Sequence, residues 1–125
     1  MIIIGNKDIP SVDIENIKTI EDISTTKPNS LVSFSYNIEL LTYCLKNNIS
    51  CAVVVSNIQE AIFSNSLNAK YVIVENQISK SIQNIAENYM FDSKILEVID
   101  NDKQIENIAI NGIDGVIYKE EIKDI

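Results

Sequence analysis

The chain has 125 residues, a formal net charge of −8, 46% hydrophobic residues and no histidine or tryptophan. That length suits one α/β domain over residues 1–125, and ten scattered basic residues in an acidic chain exclude a nucleic-acid-binding face. The missing histidine removes the commonest general base and the commonest transition-metal ligand together.

The opening run Met-Ile-Ile-Ile-Gly has no basic flank and is too short for a signal peptide or a membrane span, so a complete, cytoplasmic, membrane-free chain is expected. Ile2 to Ile4 reads as a first strand closed by a turn at Gly5-Asn6, and Pro10 stops its continuation. Between Val12 and Lys27, Ile14, Ile17, Ile20 and Ile23 recur every third residue. This fits either one helix or a short strand near Glu15 to Lys18 followed by a short helix. Thr19 with Asp22 three residues on resembles a capping pair and favours the second.

From Leu31 the pattern is regular. Leu31 to Ser35 reads as a strand, Asn37 as an N-cap, and Ile38, Leu41, Cys44 and Leu45 as the stripe of a helix ending near Asn47-Asn48. Cys51 to Val55 is the next strand, with Asn57 and Glu60 as capping residues and Ile58, Ala61 and Ile62 on the helix. Tyr71 to Val74 follows, then a stripe of Ile78, Ile82, Ile85, Ala86 and Tyr89. Ile95 to Ile99 is a strand, Asn101 and Gln104 form another capping pair, and Ile105, Ile108 and Ala109 face inward. Gly112 is a C-cap and Val116 to Tyr118 the last strand. Cys44 and Cys51 lack the spacing of a zinc site or redox motif and are expected to be buried free thiols.

Strands alternating with helices imply parallel pairing through right-handed crossovers. The expected fold is therefore a mainly parallel sheet of five or six strands, either half-barrel-like or open and flavodoxin-like. Cys51 to Val74 aligns without gaps on Ile95 to Tyr118 at an offset of 44, matching Asn57 to Asn101 and Asn68 to Gly112. Equal βα unit lengths produce such matches by themselves, so a true internal repeat and a coincidence both stay open.

Ligands of parallel α/β sheets bind at the carboxyl ends of the strands. That edge comprises Gly5-Asn6, Ser35 to Asn37, Ser56-Asn57, Glu75-Asn76, Asp100 to Asp102 and Lys119. Glu75 and Asp100 are candidates for a hard cation or acid–base work, and the helix starts at Asn57 and Asn101 for an anion, although capping alone explains the asparagines. Glu97 interrupts an apolar strand, so either that strand lies at a sheet edge or Glu97 has partners. Registering the caps Asn101 and Asn37 pairs Glu97 with Ser33, which with Ser35 defines one polar sheet face. The candidate ligand-binding set is Ser33, Ser35, Ser56, Asn57, Glu75, Glu97, Asp100 and Asn101, with no catalytic residue, cofactor or metal site named.

No Walker loop, GxSxG elbow or GxGxxG turn is present. A receiver-like domain needs an Asp at the end of the central strand, where this chain has Ser56, and paired acids after the first strand, where it has Gly5-Asn6. The stretch Ala69 to Lys119, with Asp100-Asn101-Asp102 before an amphipathic helix and Gly112-Ile113-Asp114-Gly115-Val116-Ile117 after it, resembles the last two βα units of (β/α)8 barrels such as the glycerophosphodiester phosphodiesterases. The resemblance implies a barrel-like arrangement of these units. That family's catalytic histidines and metal-binding carboxylates come from early strands, which here carry no such motif, so it implies no activity. A half-barrel leaves an apolar edge and part of its inner face to be covered, and a homodimer is expected. Two functions are carried forward: a non-catalytic binding or assembly module, and a small enzyme or ligand-binding protein for a phosphorylated or metal-bound metabolite.

Overall fold

In the computed structural model, which describes residues 1–123 and 125 and only the backbone of Asn76, strands and helices alternate along the chain. The elements are β1 (Ile2–Ile4), β2 (Ile14–Asn16), α1 (Ile20–Ile23), β3 (Leu31–Ser35), α2 (Ile38–Lys46), β4 (Cys51–Val54) and α3 (Ile58–Ser66). They continue with β5 (Tyr71–Val74), α4 (Asn76–Asn88), β6 (Lys94–Ile99), α5 (Ile105–Ile110) and β7 (Gly115–Tyr118). Single 3-10 turns at Asp102–Gln104 and Lys119–Ile122 follow β6 and β7.

All seven strands are parallel, in the order β1-β7-β6-β5-β4-β3-β2. Read as a circle, this is consecutive order opened between β1 and β2, the arrangement of a half-barrel. The count exceeds the expected five or six because Ile14–Asn16 pairs with β3 as a three-residue edge strand, too short for a clear alternation. The capping reading of the following segment holds: Asp22 Oδ2 accepts from the N–H groups of Thr19 at 3.1 Å and Lys18 at 2.9 Å.

The helices all lie on one face of the sheet. Val32, Phe34, Val53, Val72, Val74, Ile95, Ile99 and Val116 pack there against Leu41, Cys44, Ala61, Ile82 and Ile108 of α2 to α5. The opposite, inner face buries Ile4, Leu31, Ala52, Tyr71, Ile73, Leu96, Val98 and Ile117 in a separate cluster, to which the segment between β1 and β2 adds Val12 and the last 3-10 turn adds Ile122. Helices on one face only rule out the open, doubly wound flavodoxin-like alternative.

Curvature explains the second core. Seven flat strands would separate the edges by about 29 Å, whereas the connection from Ile4 to Ile14 reaches at most about 33 Å when fully extended. That connection also turns back on itself, with the Ile9 N–H donating to the Asn6 carbonyl at 3.3 Å. A flat sheet would need this folded-back connection stretched almost to its limit; a curled sheet brings the edges closer, and curling lets inner side chains cover each other. Because the inner face is buried within one chain, the burial argument for a second copy applies only to the unpaired edges β1 and β2.

The helices meet the sheet through narrow stripes. Ile38, Leu45, Ile58, Ile62 and Tyr89, expected on buried stripes, remain exposed, as does Ala109. Short helices resting on one sheet bury little more than the line facing it, such as Leu40, Leu41 and Cys44 of α2. Both cysteines are buried free thiols.

Every helix from α2 to α5 ends in the same way. The residue after the cap takes a positive φ at Asn48 (55°), Asn68 (66°), Met90 (51°) and Gly112 (74°). The next N–H then reaches back to a carbonyl in the last turn, Ile49 to Cys44, Ala69 to Ser64, Phe91 to Ala86 and Ile113 to Ile108. This is the Schellman termination, which turns the chain sharply into the following strand. Residues 51–74 and 95–118 accordingly share one element order at the offset of 44, except that the second helix starts with a 3-10 turn. Three of the four left-handed positions carry Asn or Gly, and Met90, 85% exposed, does not. Replacing Met90 with Gly is expected to stabilise the fold by about 1 kcal/mol by removing the Cβ penalty, read as a higher urea midpoint.

Candidate functional site

α4 carries the residues that define the site. Its face toward the sheet contains Ile82 and Ala86 but also Ser79 and Gln83, both buried and four residues apart. Buried polar groups must be partnered, and each meets a polar group from the neighbouring units. The Ser79 hydroxyl donates to Glu97 Oε1 at 2.5 Å, and Gln83 Oε1 accepts from the Asp114 N–H at 2.9 Å. Asp114 Oδ2 in turn accepts from the Ile95 N–H at 2.9 Å, closing a network between α4, β6 and the start of β7.

Of the two alternatives for Glu97, an edge strand or a partnered carboxylate, the second holds, with Ser79 as the partner. β6 lies between β5 and β7 in the sheet, so Glu97 is not on an edge strand. It does not share a face with Ser33 either. Glu97 pairs with Val74 and Val116 on the helix side, while Ser33 aligns with Ala52 and Tyr71 on the inner side. Phe34 and Ile95 share a row across the sheet, which puts Asn37 three residues and Asn101 six residues beyond that row. Aligning the caps therefore shifts the strands by three, and an odd shift exchanges the faces.

A groove of about 740 Å³ opens above Glu97 between α4 and α5. Gln77, Ser79 and Lys80 line one wall, Asn107, Ile108 and Asn111 the other, and Asp100, Asn101, Lys103 and Gln104 its end. The end wall is held by a capping box: Gln104 Oε1 accepts from the N–H groups of Asp100 at 2.6 Å and Asn101 at 3.1 Å, and Asn101 Oδ1 accepts from Lys103 N–H at 3.0 Å. Lys80 Nζ donates to the Asn111 carbonyl at 2.6 Å and so spans the groove from α4 to the end of α5.

Of the eight sequence candidates, this groove brings together Glu97, Asp100 and Asn101. Ser33 is buried on the inner face and donates to Asn16 Oδ1 at 2.5 Å. Ser35 is exposed in a separate cleft with Tyr36, Asn37 and Ile125. The Ser56 N–H donates to Glu60 Oε1 at 2.8 Å, and Asn57 caps α3 by accepting from the Glu60 N–H at 2.9 Å. Glu75 precedes α4 without a side-chain capping bond and lines the groove with none of the others. Among the described residues no group of three or more His, Cys, Asp or Glu is placed to hold a metal ion.

The C-terminal edge of the strands carries a second polar cluster. Asn6 after β1 donates through Nδ2 to the Tyr118 hydroxyl at 2.9 Å and to Asp102 Oδ1 at 3.4 Å. The Tyr118 hydroxyl donates to Asp102, and this bond to a carboxylate pushes the phenol above its ordinary titration range, with Asn6 opposing the shift. On the other side of the sheet, Ile122 of the last 3-10 turn packs on the inner cluster.

The carboxylates with depressed titration lie elsewhere. The backbone N–H groups of Lys18 and Thr19 hold Asp22 below the usual carboxylate range. The Lys27 N–H, with the Ser30 hydroxyl, does the same for Glu15. A depressed folded-state value contributes stability above the unfolded value that is lost as pH falls through the folded one. Acidification is therefore expected to loosen β2 and α1. Carboxyl NMR titration should place Asp22 and Glu15 below ordinary values, and ordinary values would refute this.

No protein-family model matches the chain, and no curated protein matches it. Among the described residues no helix is long and apolar enough to cross a membrane.

Proposed function

We propose that this protein is a non-catalytic binding module whose ligand occupies the groove between α4 and α5. The observation that carries this reading is Glu97, a carboxylate 8% exposed that floors an open groove and has Ser79 as its hydrogen-bond partner. Burying a carboxylate with one neutral partner costs free energy, and a bound ligand offsets that cost. The groove volume suits a small molecule, and its lining supplies amide and charged groups to orient one.

A thermal-shift panel of small polar metabolites and divalent cations, run on the wild type and Glu97→Gln, tests this. A ligand present at about 100 times its Kd stabilises the native state by about 2.7 kcal/mol. The reading expects a compound that raises the wild-type melting temperature and loses most of that effect in Glu97→Gln. Stabilising compounds that act equally on both proteins would overturn it.

A second reading, a small enzyme or ligand-binding protein for a phosphorylated or metal-bound metabolite, is favoured by the Asn6–Tyr118–Asp102 cluster at the C-terminal strand edge. Tyr118→Phe separates the two readings, because it alters that edge and leaves the groove lining intact.

A further inference from the structure

We propose that the α4/α5 groove takes a small molecule bearing a primary ammonium group, seated on the Glu97 carboxylate; this rests on the groove being the binding site. A carboxylate offers about four acceptor positions, and Glu97 uses Oε1 for the Ser79 hydroxyl. Among the described residues no ion pair neutralises it. Lys80, the lysine of α4, commits its Nζ to the Asn111 carbonyl across the groove. Lys103 at the groove's end forms no described ion pair with Glu97, and the described ion pair of the chain is Lys123 with Glu120, beyond β7.

The geometry selects among cations. A guanidinium docks on both oxygens of a carboxylate as a planar fork, so it has to share Oε1 with the Ser79 hydroxyl. An ammonium is a point donor and needs only Oε2. A metal ion would want further carboxylate or thiolate ligands, and among the described residues no such group exists. The groove is lined by Lys80 and Lys103 as well as Glu97 and Asp100, but an anion at the floor itself meets the buried Glu97 carboxylate, while Lys80 is committed to the Asn111 carbonyl. A groove of about 740 Å³ is far larger than an ammonium, so the ligand also has a body, for which Gln77, Asn107 and Asn111 present amide donors and acceptors.

Matched pairs of probes test this by backbone-amide NMR: putrescine against butanediol, and glucosamine against glucose. The amine of each pair should shift the resonances of Lys80, Asp100 and Asn107, and its neutral counterpart should not. Glu97→Gln, which keeps an acceptor for Ser79, should weaken amine binding about 10- to 100-fold, the loss of one charge-assisted hydrogen bond. Its melting curve confirms that it folds, and Ser79→Ala, which keeps the carboxylate, should retain the amine preference. Equal shifts from neutral and amine probes, unchanged in Glu97→Gln, would overturn the ammonium assignment while leaving the groove as a binding site. Silence from all four probes would overturn the assignment too, with the metabolite panel then deciding separately whether the groove binds anything.

Discussion

Gly115→Ala is expected to destabilise the fold by about 3 kcal/mol, the upper end of the usual cost of overpacking a core. A Cβ at this position would lie 2.5 Å from the Ile2 carbonyl oxygen, 2.6 Å from Ile2 Cβ and 2.8 Å from Leu96 Cδ2. The oxygen belongs to the backbone of β1, whose Ile2 faces Gly115 in the parallel register, so it cannot retreat without loosening the β1–β7 pairing. Urea denaturation gives the cost, and a loss below about 1 kcal/mol would mean that β1 sits less tightly on β7 than described.

Leu96→Ala should cost about 2–5 kcal/mol, the range for deleting a fully buried leucine. Leu96 is 0% exposed on the inner face and packs with Ile4, Ile73 and Ile117. A flat, open sheet would leave that side chain in water and the substitution nearly free, so this measurement distinguishes a curled half-barrel from an open sheet. The two substitutions are also expected to be coupled. Leu96 Cδ2 is one of the three atoms crowding a Cβ at position 115, and substitutions that share space are not additive. Gly115→Ala should therefore cost less in a Leu96→Ala background, and the part that remains reports the clash with the Ile2 backbone.

The parts of this fold legible in the sequence are those set by a few neighbouring residues. Asn37 and Asn57 cap their helices through side-chain bonds to Leu40 and Glu60; Asn101 with Gln104 forms a complete capping box. Each depends on spacing within four residues, which a sequence displays directly. The match at an offset of 44 was visible for the same reason, since strand length, cap and left-handed exit recur locally. Which face a residue occupies depends on register with the next strand, and there the reading from caps misplaced Glu97 opposite its true side.

The site was legible only in fragments. Glu97, Asp100 and Asn101 stand out in the sequence, and the groove unites them. Their partner Ser79 was missed, although Ser79 and Gln83 occupy the same helical stripe as Ile82 and Ala86, and polar residues on a buried stripe announce a polar floor. Asn6 and Tyr118 are 112 residues apart, and no local pattern brings them together. They meet because β1 joins the sheet beside β7 rather than beside β2.

Two possible locations of a ligand are the groove between α4 and α5 and the Asn6–Tyr118–Asp102 cluster at the C-terminal ends of the strands. Crystals soaked with a library of small polar fragments compare them directly. Fragment density against Glu97 between Lys80 and Asn107, with Asn6, Tyr118 and Asp102 left bonded to one another, is the predicted result. Density clustered on Asn6, Tyr118 and Asp102, with the groove above Glu97 empty, would contradict it.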